Sequence, residues 1–358
     1  MRSRLAGFAI NILIVCVALI VTLVAMEALI RIFRPQTRFA AIVNTWDREV
    51  GTRHICGGRG FVKTKDFKMD AIINSKGLRD REFAYEKREG IKRIIVLGDS
   101  FTFGYGVQAD ETFSKVLERI LNAEGGGDET WEVLNMGVGS TGTAQQYALF
   151  LREGIKYDPD YVVLCFCQAN DYWDNITCGL YTLEDGELVK HDAPKTLWRT
   201  VQQATAWMPG YRTLFASSHL LNFVKHRAAR FHFRDLADKS DLPEGRSAVE
   251  RRGEVVTQAL VLAMCDACEN RGCSLIMTVV PDPARGFIHH DDTIDLIDLA
   301  ESHGIHFVSI AEALGKADAG GTAVIFGDDL HWNVVGHEIV GRTLGEFFLS
   351  QAAPEDRL

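Results

Sequence analysis

A serine lies directly after a short apolar run, in a position where its hydroxyl could act as a nucleophile. The segment Ile94–Leu97 is rich in β-branched residues and is followed by Gly98, which is typical of a buried strand in a parallel sheet. Ser100 then follows the carboxyl end of this strand, the edge at which open α/β sheets bind ligands. Serines also occupy such positions merely as helix caps, so position alone leaves both interpretations open.

Polar residues also follow three other predicted strands. Ser140 follows the second strand, Asn170 follows the third, and Asp328 and His331 lie in the loop after the fifth. If the strands are parallel, all of these residues meet Ser100 at one edge of the sheet. This convergence distinguishes them from the other serines and histidines of the chain.

The converging residues match the requirements of acyl transfer, which needs a nucleophile, a base, an orienting group and an oxyanion site. His331 would take the proton of Ser100, and Asp328, three residues earlier, would hold the imidazole ring in the needed tautomer. The backbone N–H groups of Ser100 and Ser140 and the amide of Asn170 are candidate oxyanion donors. Asn170 could instead be an ordinary turn residue bonded to local backbone.

From residue 91 onwards the chain alternates between strand and helix patterns. The predicted strands are Ile94–Leu97, Glu132–Met136, Tyr161–Cys167, Ser274–Val280 and Ile305–Ile310. The predicted helices are Glu111–Ala123, Thr143–Gly154, Gly253–Arg271, Thr293–His303 and Val334–Ser350. Strands separated by helices imply βαβ crossovers, and therefore a parallel sheet with helices on both faces.

The predicted α/β domain covers residues 91–352 and carries a long insertion at residues 176–250. The insertion contains a predicted hairpin at Tyr181–Val189, followed by a basic stretch that we interpret as a solvated helix face. An insertion of this size at the ligand-binding edge commonly shapes a substrate pocket. Residues 34–90 are predicted to form a connecting region.

The amino-terminal residues 1–33 are predicted to form a transmembrane anchor. Leu5–Met26 contains no charged side chain and is long enough, as a helix, to cross a hydrocarbon core of about 30 Å. The alternative is a cleaved signal peptide, which we disfavour because the apolar run exceeds the usual h-region and no Ala-x-Ala site closes it. Arginines flank both sides, and we expect a cytoplasmic amino terminus and an extracytoplasmic body, with the lipid bilayer as partner.

Charge and cysteine content exclude some other classes of function. A net charge of -9 argues against nucleic acid as a partner, since nucleic-acid binders usually present a basic face. The eight cysteines do not complete a metal-binding pattern, so we expect no metal and no organic cofactor. Cys268 with Cys273, or Cys56 with Cys178, could form disulfides if the body lies outside the cytoplasm.

The polar segments together resemble the sequence blocks of the SGNH (GDSL-type) hydrolases. Gly98–Thr102 looks like the first block, Asn135–Ser140 the second, Gln168–Asp171 the third and Asp328–His331 the last, in the family's order. The resemblance implies a flavodoxin-like three-layer α/β/α sandwich with a parallel sheet, and ester hydrolysis or acyl transfer. The runs Asn74–Asp80 and Asn170–Asn175 look like those of a membrane-anchored bacterial subgroup, which implies the inner membrane as location.

Carried across residue by residue, the resemblance implies Ser100 as nucleophile, His331 as base, Asp328 as its orienter and Asn170 as an oxyanion donor. The second block departs from the family pattern, because Gly139 precedes Ser140 and Ser140 occupies the place of the expected glycine. In the third block, Gln168 replaces the usual glycine two residues before Asn170, which would narrow the substrate channel.

Three functions are compatible with these residues. The first is a serine esterase that removes O-acyl groups, such as acetyl, from a carbohydrate or lipid. The second is an O-acetyltransferase in which a sugar hydroxyl replaces water, acting on cell-envelope or exported polysaccharide. The third is a catalytically silent binding module of the cell envelope, which the two departures from the family pattern would permit.

Overall fold

The computed structural model describes most of the chain. The described residues are 2–36, 38–39, 43–125, 129–195, 200, 210, 213–214, 217–224, 227, 246–327 and 329–352. Most of the predicted basic stretch of the insertion, including Lys225, Arg230 and Arg234, lies outside these residues.

The described part of the chain contains the following elements. The strands are β1 (Arg38–Phe39), β2 (Asn44–Asp47), β3 (Gly51–His54), β4 (Arg59–Lys63), β5 (Lys68–Ile72), β6 (Ile91–Gly98), β7 (Thr130–Asn135), β8 (Tyr161–Cys167), β9 (Tyr181–Glu184), β10 (Glu187–Lys190), β11 (Ser274–Val280) and β12 (His306–Phe307). The helices are α1 (Arg2–Phe33), α2 (Ser100–Phe103), α3 (Phe113–Glu124), α4 (Thr143–Arg152), α5 (Asp171–Thr177), α6 (Arg246–Glu269), α7 (Asp291–Ser302), α8 (Ala311–Ala319) and α9 (Val334–Ala352).

A five-stranded parallel sheet forms the centre of the α/β domain, as predicted. Its strand order is β7-β6-β8-β11-β12, so the strands numbered along the chain run 2-1-3-4-5, the flavodoxin-like order. Strand β6 lies inside the sheet, pairing with β7 on one side and β8 on the other. Ser100 therefore follows a central strand, beside the point where the strand order reverses.

Alternate residues of the strands supply two separate cores. Ile95 and Leu97 of β6 pack in one cluster with side chains of α4, α6 and α7. Ile94 and Val96 point to the opposite face, into a cluster with side chains of α3, α8 and α9. Both faces of the sheet are thus covered, which explains why the strands are apolar throughout instead of alternating with polar residues.

Several predicted boundaries are wrong. Helix α6 begins at Arg246 and not at Gly253. Helix α3 begins at Phe113 and not at Glu111, because Ala109–Glu111 form a 3₁₀ turn and the extended Thr112 is the N-cap. The fifth strand is shorter than Ile305–Ile310. Its pairing with β11 ends at Phe307, beyond which the Thr278 hydroxyl donates to the Val308 carbonyl.

The predicted connecting region has its own ordered structure. Strands β4 and β5 form an antiparallel hairpin, and β2 pairs with β3. Between β5 and β6, the side chain of Asn74 organises a loop: its carbonyl oxygen accepts from the backbone N–H groups of Lys76 and Leu78, and its amide donates to the Arg81 carbonyl. This loop buries Arg79 against the back of α2.

Helix α1 contains a candidate membrane span, Ile10–Phe33, whose apolar side chains are exposed. Near its carboxyl end, Glu27 accepts hydrogen bonds from the hydroxyl of Ser218 and from the backbone N–H groups of His219 and Leu220. A segment of the insertion is therefore joined to the end of α1.

Two further predictions concern the hairpin and the cysteines. The hairpin β9–β10 turns at Asp185 and Gly186, both at positive φ, as the Asp-Gly pair predicts. All eight cysteines are free thiols, so neither disulfide that the sequence allowed is formed.

Candidate active site

Ser100 is the first residue of the short helix α2 and is half-buried at the carboxyl end of β6. Asp99 caps this helix by accepting from the backbone N–H of Phe101 at 2.9 Å. A Cβ atom at Gly98 would lie only 2.1 Å from the Thr102 hydroxyl and 3.0 Å from the Cys165 carbonyl. Glycine is therefore required where the strand turns into the helix that presents Ser100.

The imidazole of His331 joins Ser100 to a carboxylate. Its Nε2 lies 2.7 Å from the Ser100 hydroxyl, and its Nδ1 lies 2.5 Å from Oδ1 of Asp329. With the Nδ1 proton donated to the carboxylate, Nε2 is free to accept the serine proton. The ring is packed beside Phe101 and Tyr105, with ring centroids 4.7 and 4.8 Å away.

The carboxylate that contacts the His331 imidazole belongs to Asp329, whereas the sequence analysis predicted Asp328. Asp328 itself lies outside the described residues. Asp329 Oδ1 also accepts the backbone N–H of His331 at 3.0 Å, so the two-residue separation closes a tight local turn. Partial burial opposes ionisation of Asp329, but the hydrogen bonds from His331 outweigh it and lower the pKa of this carboxyl.

The loop after β7 approaches Ser100 through Gly139. A Cβ atom built on Gly139 would lie 3.8 Å from the Ser100 Cβ. The predicted Ser140 is exposed and has a φ of 63°, in the left-handed region, so the chain turns at this residue. The backbone of Gly139 is thus placed beside the candidate nucleophile.

The side-chain amide of Asn170 is held by acidic neighbours. Its Nδ2 donates to Asp174 at 2.7 Å and makes a longer contact of 3.4 Å with Asp171. Gln168 fastens the same loop to the loop after β11: its Nε2 donates to the Ile288 carbonyl at 2.9 Å, and its Oε1 accepts from the His290 N–H at 3.0 Å. These bonds explain what Gln168 does in place of the glycine of the family pattern.

Helix α2 is held from behind by two side chains that the sequence analysis did not single out. The Asn135 amide donates to the Thr102 carbonyl at 2.7 Å. The buried guanidinium of Arg79 donates to four backbone carbonyls, among them those of Phe103 at 2.7 Å and Gly104 at 2.8 Å. Two weak signals were present in the sequence: Asn135 opens the second block, and Arg79 lies in the run Asn74–Asp80, whose spacing alone does not place it behind the helix.

Among the described residues, no group of three or more histidine, cysteine or acidic side chains is arranged to hold a metal ion. Of the histidine pair preceding α7, His290 contacts Asp282 at 3.2 Å, and His289 packs against Phe307. His337 is buried in α9, where its Nδ1 accepts from the Phe113 N–H. Burial lowers the pKa of His337 to about 3, so the imidazole is neutral and acts as an acceptor.

The sequence profile of the GDSL-like lipase/acylhydrolase family matches residues 96–284, which is more than half of the chain. The chain belongs to this family. The description of the family names lipases and acylhydrolases, which agrees with the predicted class of enzyme. The matched range contains Ser100, Gly139 and Asn170 and ends before the loop that carries His331. No match was found among curated protein sequences.

Several solved structures are similar to this GDSL family member. A two-domain esterase active on acetylated mannans is 13% identical, with a TM-score of 0.42 over 73% of this chain and 50% of its own. The chain thus spans half the length of that protein. An acetylxylan esterase from Geobacillus stearothermophilus is 15% identical, with a TM-score of 0.40, and the match covers 74% of this chain and 95% of that protein. A lipase/acylhydrolase from Enterococcus faecalis is 14% identical, with a TM-score of 0.42, and the match covers 74% of this chain and 100% of that protein.

Behind the candidate triad, this GDSL family member buries a pair of interacting carboxyl groups, Asp99 and Asp171. Asp171 accepts from the backbone N–H of Cys167 at 3.2 Å and from the hydroxyl of Thr143 at 3.3 Å. Burial raises the pKa of both carboxyls, that of Asp99 to about 6, although the nearby His331 opposes the shift at Asp99. Two interacting carboxyls that are both buried favour a state in which at least one of them holds a proton.

Replacement of the aspartate that contacts His331 tests which aspartate orients the imidazole ring. We expect Asp329→Asn to lower kcat by roughly 10²- to 10⁴-fold, because an amide cannot fix the tautomer in which Nε2 accepts the serine proton. The matched variant Asp328→Asn should retain most activity. The activity of both variants is measured from initial rates on p-nitrophenyl acetate, and thermal unfolding shows whether each variant is folded. Loss of activity confined to Asp328→Asn would assign the role to Asp328 instead.

The raised pKa of Asp99 predicts a pH-dependent stability. An unfolded aspartate titrates near about 3.9, so the folded state holds this proton more tightly. Stability is therefore lost as the pH rises through the interval between the unfolded value and about 6. Asp99→Asn keeps the acceptor oxygen for the cap but does not titrate.

We expect the melting temperature of Asp99→Asn, relative to the native protein, to increase between pH 4 and pH 7. Asp318 is exposed on α8, and Asp318→Asn serves as the control. Its melting temperature relative to the native protein should not change with pH in this range. A constant difference across this pH range would mean that Asp99 does not hold a proton in the folded state.

Proposed function

We propose that the protein is a serine esterase that removes O-acyl groups, in particular acetyl groups, from a carbohydrate or lipid. The observation that carries this proposal is the chain of contacts from Ser100 through His331 to Asp329. A free serine hydroxyl is a poor nucleophile, and this arrangement supplies the base that it needs.

The proposed reaction has two steps. His331 takes the Ser100 proton as the hydroxyl oxygen attacks the ester carbonyl, and the protonated imidazole then gives that proton to the departing alcohol. Water next attacks the acyl-serine, His331 accepts a proton from it, and the carboxylic acid leaves as the proton returns to Ser100. Asp329 stabilises the imidazolium in both steps.

Negative charge on the carbonyl oxygen requires donors that are already in place. We assign this role to the backbone N–H groups of Ser100 and Gly139 and to the amide of Asn170. Gly139 takes the place that the sequence analysis gave to Ser140, because Gly139 is the residue beside Ser100. The short hydrogen bond to Asp174 orients the Asn170 amide, and the contact of the same nitrogen with Asp171 is longer.

The lining of the site favours a short acyl group. The loop that carries Asn170 is closed against the loop after β11 by the Gln168 hydrogen bonds to Ile288 and His290. These contacts place polar groups on that side of the site, whereas a long acyl chain would need an apolar lining.

Ser100→Ala tests the mechanism. We expect turnover of p-nitrophenyl acetate to fall by several orders of magnitude, on the order of 10⁴-fold or more, since the nucleophile is removed. We also expect a fluorophosphonate probe to label the native protein and not the variant. Unchanged turnover by pure Ser100→Ala protein, or a native serine that does not label, would overturn the proposed mechanism and favour a silent binding module.

The same assay defines the substrate. Turnover should decline from acetate to octanoate esters, and a preference for octanoate would contradict the proposed short acyl group. Hydrolysis and transfer share the acyl-serine step, so product analysis with an acceptor glycan separates them. Free acetate without acetylated glycan is the expected product.

We further propose that α1 anchors the enzyme in the bacterial inner membrane, with the catalytic domain outside the cytoplasm. The exposed apolar surface of Ile10–Phe33 supports an anchor. The hydrogen bonds of Glu27 to residues 218–220 favour a retained helix over a cleaved signal sequence, because cleavage would remove the partner of that segment.

Intact mass and protease protection test this location. We expect the membrane-bound protein to retain α1, and its catalytic domain to be digested when protease is added to spheroplasts. A mature protein that begins after α1 would identify a signal sequence, and protection of the domain in intact spheroplasts would reverse the orientation.

A further inference from the structure

A row of aromatic rings extends outward from the imidazole of His331. The Tyr105 ring lies 4.8 Å from the His331 ring, Phe67 lies 5.3 Å from Tyr105, and Phe326 lies 4.7 Å from Phe67, all between ring centroids. Phe67, Tyr105 and Phe326, which we call the aromatic wall, are all half-buried. The wall therefore begins beside the candidate reacting centre and remains partly open to solvent.

Three separate segments hold the aromatic wall in place. Tyr105 lies just beyond Gly104, the C-cap of α2, and its N–H donates to the Ser100 carbonyl at 3.0 Å. The Phe326 N–H donates to the His331 carbonyl at 3.1 Å, and a Cβ atom at Gly106 would lie 2.3 Å from the Phe326 ring. Two rings of the wall are thus fixed by backbone hydrogen bonds to the residues of the candidate triad.

The third ring comes from the region that the sequence predicted as a connection. Phe67 lies in the turn of the β4–β5 hairpin, where its N–H donates to the Thr64 hydroxyl at 3.0 Å. Charged residues adjoin it in the turn: Lys65, Asp66 and Lys68 are all exposed. Phe67 is therefore flanked along the chain by charged side chains, which are groups that can hydrogen-bond with a polar ligand.

This combination suits a sugar ring better than an acyl chain. The face of an aromatic ring is electron-rich and attracts the C–H groups on the apolar face of a pyranose, while the hydroxyls at the sugar's edge need polar partners. An acyl chain would instead need a closed apolar pocket, which a half-exposed turn between charged residues does not provide.

We infer that the aromatic wall binds the sugar ring of the alcohol portion of the substrate, with Phe67 as a specificity-determining residue. This inference rests on the proposed function and narrows its substrate from a carbohydrate or lipid to an acylated carbohydrate. The hairpin of the connecting region is then one side of the substrate site.

The test compares Phe67→Ala with the native enzyme on two substrates. On a chemically acetylated xylo-oligosaccharide we expect KM to rise by about 3- to 10-fold, the range that corresponds to one lost ring contact. On triacetin, which has no sugar ring, kcat/KM should be unchanged. Phe67→Trp, which restores an aromatic face, should recover the native KM.

Controls separate this inference from folding defects and from the proposed function. Phe61→Ala, at a half-buried position on β4 of the same hairpin, should leave both KM values unchanged. Labelling of Ser100 by a fluorophosphonate should be equal in all variants, and absence of labelling in the native enzyme would count against the proposed mechanism instead.

Two results would overturn the inference. An equal loss of kcat/KM on triacetin and on the oligosaccharide would mean that Phe67 only supports the fold of the site. A changed preference along a series of aliphatic esters, without any change in KM for the oligosaccharide, would mean that the wall contacts the acyl chain.

Discussion

The geometry of the site depends on a helix that could not exist alone. Helix α2 has four residues, far fewer than an isolated helix needs to be stable in water. Its amino end is capped by Asp99, and its carboxyl end closes at Gly104, which adopts a φ of 79°. The Asn135 amide donates to the Thr102 carbonyl, and the Arg79 guanidinium donates to the carbonyls of Phe103 and Gly104. The position of the Ser100 hydroxyl is therefore set by contacts from outside the helix.

The sequence was sufficient to predict the sheet and the two ends of the hydroxyl–imidazole contact. Strands buried on both faces leave long apolar runs, and parallel order brings the residues after each run to one edge. Ser100 and His331 could be predicted to meet for this reason, although they are far apart in the chain. The length of the fifth strand could not be predicted, since apolar residues continue to Ile310 although the pairing with β11 ends at Phe307.

The sequence could not predict which of two neighbouring residues makes a contact, because this depends on the local conformation of a loop. Spacing could not distinguish Asp328 from Asp329, because both lie in one short loop and the choice rests on how that loop turns. The same holds for Gly139 and Ser140, where the left-handed turn at Ser140 decides which residue is beside Ser100. Arg79 was missed because burial of an arginine is not visible in its neighbours along the chain.

The buried guanidinium of Arg79 has a consequence for how this position can change. Its two terminal nitrogens donate to carbonyls of Asp70, Phe103, Gly104 and Val107, with no carboxylate among these partners. Burial lowers the pKa of Arg79 to about 10, so it stays a cation at physiological pH and opposes the negative end of the α2 dipole. No uncharged side chain offers four N–H donors, so every neutral replacement leaves at least one carbonyl of this set without its donor.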